Sequence, residues 1–409
     1  MAHTTVTERM KQLIAEELPG LIGFRRDLHA HPELMYEEAR TSQQVQRALE
    51  ELEIEFACNL AGGTGVLAYL PGQDEARAVA LRADMDALPI TEATGLDYAS
   101  QNPGVMHACG HDGHTTMLLG AARVLKRLAA ELPDDLPRPV KFIFQPAEEG
   151  GAGGLRMVED GVLQDTVLGP AASEAYGIHC WPLLELGKVS TRVGPLLAAA
   201  DMFTATITGQ MAHAAWPHRS IDPITAAAAI VNSLQTIVSR NIDPIESAVV
   251  SVTRLNAGTA NNVIPNSATL GGTVRTLSEA DRALVKQRVT DIITGVAQAH
   301  GCTSALEWEG QGYPVTMNHP EATAKFFRHG QQAVGTGRCP EWPAPVMGGE
   351  DFSFYCKEVP SCFFVLGQVP DGQANPYPQV HTPEFNFNDD SLALGVEMFC
   401  RLALDLDDE

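Results

Sequence analysis

Residues 106–114 bring together three imidazoles (His107, His111, His114), a thiol (Cys109) and a carboxylate (Asp112), just ahead of an amphipathic run. Each of these groups needs a partner once buried, so packing alone is a costly reason to cluster them. Metal coordination satisfies several at once, and thiolate with imidazole is a donor set that zinc accepts. The segment predicts half of a metal site, to be completed by ligands from elsewhere in the chain.

Four other polar clusters are placed to do so. Arg82-Ala83-Asp84-Met85-Asp86, Gln145-Pro146-Ala147-Glu148-Glu149-Gly150 and Gly177-Ile178-His179-Cys180-Trp181-Pro182 each follow or end an expected strand. Gln379-Val380-His381-Thr382-Pro383 lies ahead of the last expected helix. In open α/β sheets the carboxyl ends of strands gather at one rim, where ligands bind. That rim could offer Cys109, His111, Glu149, His179 and His381 to metal. Five donors exceed one tetrahedral site, so two divalent ions sharing a bridging ligand are expected. Manganese, zinc, cobalt and nickel all suit a mixture of thiolate, imidazole and carboxylate. Two such ions clamp a water and polarise a carbonyl. Glu148 and Glu149 point opposite ways in extended chain, so one can bind metal while the other faces the attacking water as a base.

Other candidates read more simply as structure. His29 and His31 precede any rim-forming strand. His107 and His114 read as groups that orient ligands, because metal-bound histidines need such partners.

The elements that must carry these residues alternate. Helices are expected over 7–28, with Pro19 a breaker near the end, over 39–52 and over 114–132. Strands are expected over 65–70, 78–83, 140–145 and 175–179, so the first segment reads as an α/β sheet with helices on both faces. From about residue 193 the order becomes βαββαβ: strand 202–208, helix 223–239, strands 248–256 and 267–276, helix 279–300, strand 304–309. That order fits a split βαβ, ferredoxin-like unit. Helical and strand features of the first kind return at 322–334, 362–366 and 389–404. The expected domains are therefore 1–193 and 314–409 as two segments of one catalytic domain, with 194–313 inserted. The acidic end after Leu404 reads as solvated.

Composition narrows the class. With 409 residues the chain exceeds one ordinary core. Its net charge of −23 argues against a nucleic-acid partner. The 8 cysteines are scattered without CxxC, which favours reduced thiols and a cytoplasmic setting over a disulfide framework. The first twenty residues lack the apolar region of a signal peptide, and no run is long and apolar enough to predict a membrane partner.

Taken together, the clusters resemble the M20 metallopeptidase family, and within it the amidohydrolase branch, subfamily D. That branch holds hippurate hydrolases, aminoacylase-like N-acyl-amino-acid hydrolases and auxin-conjugate hydrolases. The resemblance also rests on Phe24-Arg25-Arg26-Asp27-Leu28-His29-Ala30-His31-Pro32-Glu33-Leu34, Ala212-His213-Ala214-Ala215-Trp216-Pro217-His218, Asn262-Val263-Ile264-Pro265, Gly348-Gly349-Glu350-Asp351-Phe352 and His381-Thr382-Pro383-Glu384-Phe385. It implies a mixed-sheet α/β metallohydrolase catalytic domain with an inserted ferredoxin-like α+β lid and dimerisation domain. It implies Cys109, His111, Glu149, His179 and His381 as ligands of two metal ions, and Glu148 as general base. His213 is similar to a histidine that stabilises the tetrahedral oxyanion, often supplied by the partner of a dimer. Asn262 and Arg275 are similar to lid residues that touch substrate, and the loop 348–351 to one that lines the pocket with backbone groups. The wider family usually carries a ligating histidine where this chain has Asp84, so Asp84 and Asp86 are expected to support rather than ligate.

The implied activity is hydrolysis of the amide of an N-acyl or N-aroyl amino acid, in a homo-oligomer, dimer or tetramer, joined through the lid. A dipeptidase or carboxypeptidase of the same chemistry is an alternative, and a silent metal- or ligand-binding homologue another. Intact Glu148 disfavours the silent form, because binding alone does not need a base.

Overall fold

Runs of Val, Ile, Leu and Phe bounded by Gly and Pro become the strands of a seven-stranded sheet in a computed structural model, which describes residues 5–74, 76–132, 136–373 and 377–405. Packing divides the chain into two compact units. The first runs to Gly194 and resumes over Met317–Pro343 and from Asp351; the second comprises Pro195–Thr316 and Ala344–Glu350.

In the first unit the strands lie in the order Glu55–Leu60, Gly65–Leu70, Val140–Gln145, Ala78–Asp84, Ala172–Glu185, Ser361–Val369, Val189–Ser190. The central four strands are mutually parallel and the flanking pairs antiparallel. Ala78–Asp84 and Val140–Gln145 are buried along their whole length, as a parallel strand covered on both faces must be. Val6–Ala30, His111–Glu131 and Leu392–Leu404 pack against one another through Leu13, Leu21, Met117, Leu118, Val396 and Phe399. Register sets the rim: Asp84 lies beside Gln145 and Arg82 beside Gly177. The segments leaving those strands, with Asp86, Glu148, Glu149 and His179, therefore emerge at one end of the sheet.

The second unit is a four-stranded antiparallel sheet in the order Ala248–Ala257, Ser267–Thr276, Ala199–Thr208, Thr303–Trp308. Pro223–Leu234 and Glu279–Ala299 cover it through Ala227, Ile230, Val285, Val289 and Ile293. This is the split βαβ arrangement read from the pattern.

Several local expectations change. Pro19 does not end the first helix, which runs to Ala30 because Leu21, Arg25 and Leu28 are still buried beyond it; buried packing outweighs one missing ladder bond. The expected helix 223–239 is interrupted at Gln235. The edge strand Glu55–Leu60 carries no strand signal in the sequence, because its half-exposed mixture of residues has no period-2 pattern. Asp405 is not a solvated end: it meets His329 at 2.9 Å and Lys325 at 3.0 Å, besides Arg328. The remainder of that acidic end, 406–409, lies outside the described residues.

Candidate metal centre

The helix expected from residue 114 begins at His111, with Gly110 in the left-handed region at φ 87° as its N-cap. A glycine is required there for its backbone and also for space, since a Cβ on Gly110 would lie 2.5 Å from Cys180 Sγ. This turn sends Cys109 and His111 toward the rim while His114 lies one turn on, on the same face.

Cys109, His111, Glu148, Glu149, His179 and His381 all belong to the first unit, and their donor atoms form overlapping groups with no pair in a group more than 4.8 Å apart. The groups are Cys109–His111–His179, Cys109–Glu149–His381 and His111–Glu148–Glu149. Cys109 Sγ is 3.3 Å from His179 Nε2. Glu149 Oε1 is 3.0 Å from His381 Nε2, yet that oxygen lacks a hydrogen bond of proper geometry. His111 Nε2 is buried and likewise without a hydrogen-bond partner among the described residues, Asp84 Oδ2 standing 3.7 Å away. A thiol, imidazoles and carboxylates gathered in one buried space, with two of their polar atoms unsatisfied, are a donor set suited to a coordinated cation. The donor set fits two divalent ions held by thiolate, imidazole and carboxylate.

Electrostatics point the same way. Burial opposes charge on His111, but Asp84 and Asp86 outweigh it and lift its pKa to about 10. Burial, reinforced by the charge of Glu149, pushes the Cys109 thiol well above its ordinary value. Burial also raises the cost of charging Glu149, yet His381 and His111 hold its carboxyl below the usual range. The space therefore favours a positive charge, and the thiol becomes a thiolate only when a cation is present to neutralise it.

Supports arrive from distant segments. Asp86 lies 3.2 Å from His111 Nδ1 and accepts the Glu149 backbone N–H at 2.9 Å. Asp84 is held by Arg82 at 2.7 Å and meets His114 Nδ1 at 2.7 Å. Asp112 turns away from the rim to His29 and Arg25, at 2.8 Å and 3.1 Å. His107 departs from expectation: it is buried, burial pushes its pKa down to about 4, and neither ring nitrogen has a hydrogen-bond partner among the described residues. Asp351, at the end of the loop 348–351, is buried, and its side chain accepts from Arg82, Gln145 and the Gly154 N–H.

Sequence reasoning missed Glu38. This buried carboxylate accepts the Ala147 N–H at 2.8 Å and the Thr64 hydroxyl at 2.8 Å. It thereby fixes the turn into Glu148, where Ala147 holds φ at 55°. A glutamate just before a helix reads as a cap, and no spacing reveals a contact 109 residues away.

His213, Asn262 and Arg275 belong to the second unit. His213 is exposed on a short strand paired with Val263, its ring 5.1 Å from Trp216. Asn262 is exposed. Arg275 is half-buried on Ser267–Thr276 with no carboxylate at salt-bridge distance among the described residues, and burial lowers its pKa.

Residues 80–405 match the model of peptidase family M20/M25/M40. The chain belongs to that family. Within it, the chain is 41% identical over 387 residues to Arabidopsis thaliana IAA-amino acid hydrolase ILR1-like 4, covering 94% of this chain and 84% of that protein. It is 43% identical over 328 residues to the N-acyl-L-amino acid amidohydrolase of Geobacillus stearothermophilus, covering 80% of this chain and 85% of the relative. The crystal structure of Bacillus subtilis YxeP, a dinuclear metal-binding peptidase of the M20 family, superposes with a TM-score of 0.79 at 35% identity, covering 96% and 98% of the two chains. This family member is accordingly a hydrolase of amide bonds.

Proposed function

We propose that the chain is a metal-dependent amidohydrolase that cleaves N-acyl or N-aroyl amino acids into a carboxylic acid and a free amino acid. The observation that carries this reading is the convergence of Cys109, His111, Glu149, His179 and His381 around one space, with Glu148 beside it. Two divalent ions, drawn from manganese, zinc, cobalt or nickel, would be held by those five side chains; when bound they acidify the attacking water and polarise the scissile carbonyl.

The chain's own residues supply the remaining steps. Glu148 takes the proton of the attacking water and returns it to the leaving amine. His213 donates to the developing oxyanion. Arg275 receives the substrate carboxylate, for which a guanidinium with no ion-pair partner among the described residues is suited, and Asn262 adds a polar contact. Residues 1–193 and 314–409 form the catalytic domain in this reading, and 194–313 a lid through which two or more copies associate. Exposed Met211, Trp216, Ile245 and Leu255 in that segment support association. The absence of disulfides among eight free cysteines supports a reducing, cytoplasmic setting. No helix among the described residues is long and apolar enough to cross a membrane.

The test is a substrate panel on protein reconstituted with each of the four metals. Hippurate, N-acetyl amino acids and indole-acyl amino acids are expected to be hydrolysed faster than unblocked dipeptides. Faster turnover of dipeptides would replace this reading with a dipeptidase, and no turnover with metal bound would replace it with a binding protein.

A further inference from the structure

Beyond residue 177, the strand Ala172–Glu185 outruns its neighbour Ala78–Asp84, whose last paired residue is Arg82, opposite Gly177. Backbone groups on that side lose their ladder partners and must be met another way. At Cys180 two imidazoles meet them. The Cys180 N–H donates to His114 Nε2 at 2.8 Å, and the Cys180 carbonyl lies 2.6 Å from His179 Nδ1.

These contacts fix both tautomers. A backbone N–H can only donate, so His114 Nε2 is unprotonated, Nδ1 carries the hydrogen, and Asp84 accepts it at 2.7 Å. A carbonyl can only accept, so His179 Nδ1 carries its hydrogen and leaves Nε2 with a lone pair, 3.3 Å from Cys109 Sγ. Asp84 is in turn held at its other oxygen by Arg82 at 2.7 Å. Arg82, Asp84, His114 and His179 are all buried, so water does not compete for these bonds.

We propose that Asp84 and His114 are positioning residues for His179: anchored by Arg82, they pin the Cys180 backbone and thereby present His179 Nε2, not Nδ1, to metal. The proposal rests on the reading of His179 as a ligand given above. It also sets Asp84 and His114 apart from the ligands. They lie close enough to His111 to form a donor group of their own, but both Asp84 oxygens and both His114 nitrogens are already engaged.

The experiment uses the full chain with cobalt(II) as the probe. His114→Phe keeps a ring but removes acceptor and donor; His114→Gln keeps an amide able to accept the Cys180 N–H. His114→Phe is expected to lower cobalt affinity about 10–100-fold, with the visible ligand-field bands shifted, the number of ions at saturation unchanged, and KM for substrate within about twofold. His114→Gln should recover most of the affinity and the native bands. Wild-type affinity and spectrum in His114→Phe would overturn the proposal, as would outright loss of one equivalent of cobalt, which would make His114 a ligand. Long-range proton–nitrogen spectra of the metal-free wild type keep the question open to test even where His114→Phe does not fold: His114 must be protonated at Nδ1, and protonation at Nε2 overturns the relay. His179→Ala separates the two readings. Unchanged cobalt binding there removes the ligand assignment itself, whereas a loss there without an effect of His114→Phe removes only the relay.

Discussion

Cys109 Sγ lies 3.3 Å from His179 Nε2, a thiol facing the lone pair of an imidazole inside a site ringed by carboxylates. Without a cation that thiol stays protonated, its pKa pushed well above its ordinary value by burial and the charge of Glu149. His111, with its pKa lifted to about 10 by Asp84 and Asp86 against the effect of burial, stays charged at neutral pH. Loading metal at pH 7 should therefore expel about two protons, one from each residue. Calorimetric titration in buffers of different ionisation enthalpy reads the number, and Cys109→Ala should reduce it by one while lowering metal content. A titration releasing no protons would contradict both assignments.

Glu148 and Glu149 should separate cleanly on substitution. Glu148→Gln is expected to retain its metal and lose about 10²–10⁴-fold in turnover, the range for a general base. Glu149→Gln should lose metal. Elemental analysis beside steady-state rates checks both, and near-normal turnover in Glu148→Gln would move the base elsewhere.

Arg275 predicts a dependence on the substrate's carboxylate. Arg275→Ala should raise KM for an N-acyl amino acid about tenfold or more and leave KM for the matching amino-acid amide almost unchanged, since a charge-assisted pair is worth about 1.5–3 kcal/mol. Equal effects on acid and amide would argue against this contact.

The buried His29–Asp112 pair predicts a stability slope. Burial disfavours charged His29, but bonds to Asp112 and Glu92 override it and raise its pKa from 6.5 to about 9. A histidine raised on folding stabilises fully below 6.5, and that contribution is lost as pH climbs through about 9. Asp112 is shifted below its ordinary 3.8 despite burial, chiefly by His29, so its contribution is present above that value and lost in acid. His29→Gln should cost about 3–5 kcal/mol near pH 6, the range for breaking a buried pair, and the gap from wild type should narrow toward pH 10. Melting curves across that range decide it, and a gap independent of pH would refute the pairing.

Gly113 predicts a steric limit beneath the site. Alanine normally gains about 1 kcal/mol over glycine inside a helix. Here its Cβ would stand 2.3 Å from the buried Phe387 ring. Overpacking costs about 1–3 kcal/mol, so the clash outweighs the helical gain and Gly113→Ala should melt lower. Trimming the ring in Gly113→Ala/Phe387→Leu should recover part of the loss.

Much of this was legible before any fold was known. The five polar clusters sit where strands end or a helix begins, and donor types alone exclude most other uses of Cys109 and His111. The alternation of strands and helices, then the βαββαβ order, follows from hydrophobic period and turn residues, which are local properties. What the sequence could not supply was everything settled by contact at long range. Register put Asp84 beside Gln145 and so gathered the rim. Tertiary packing, not spacing, brought His381 to Glu149 and Glu38 to Ala147. The tautomers of His114 and His179 depend on where the neighbouring strand runs out. Residue type determines which atoms can bind a cation, but their direction is set by hydrogen bonds between segments far apart in the chain, and those exist only once the fold has formed.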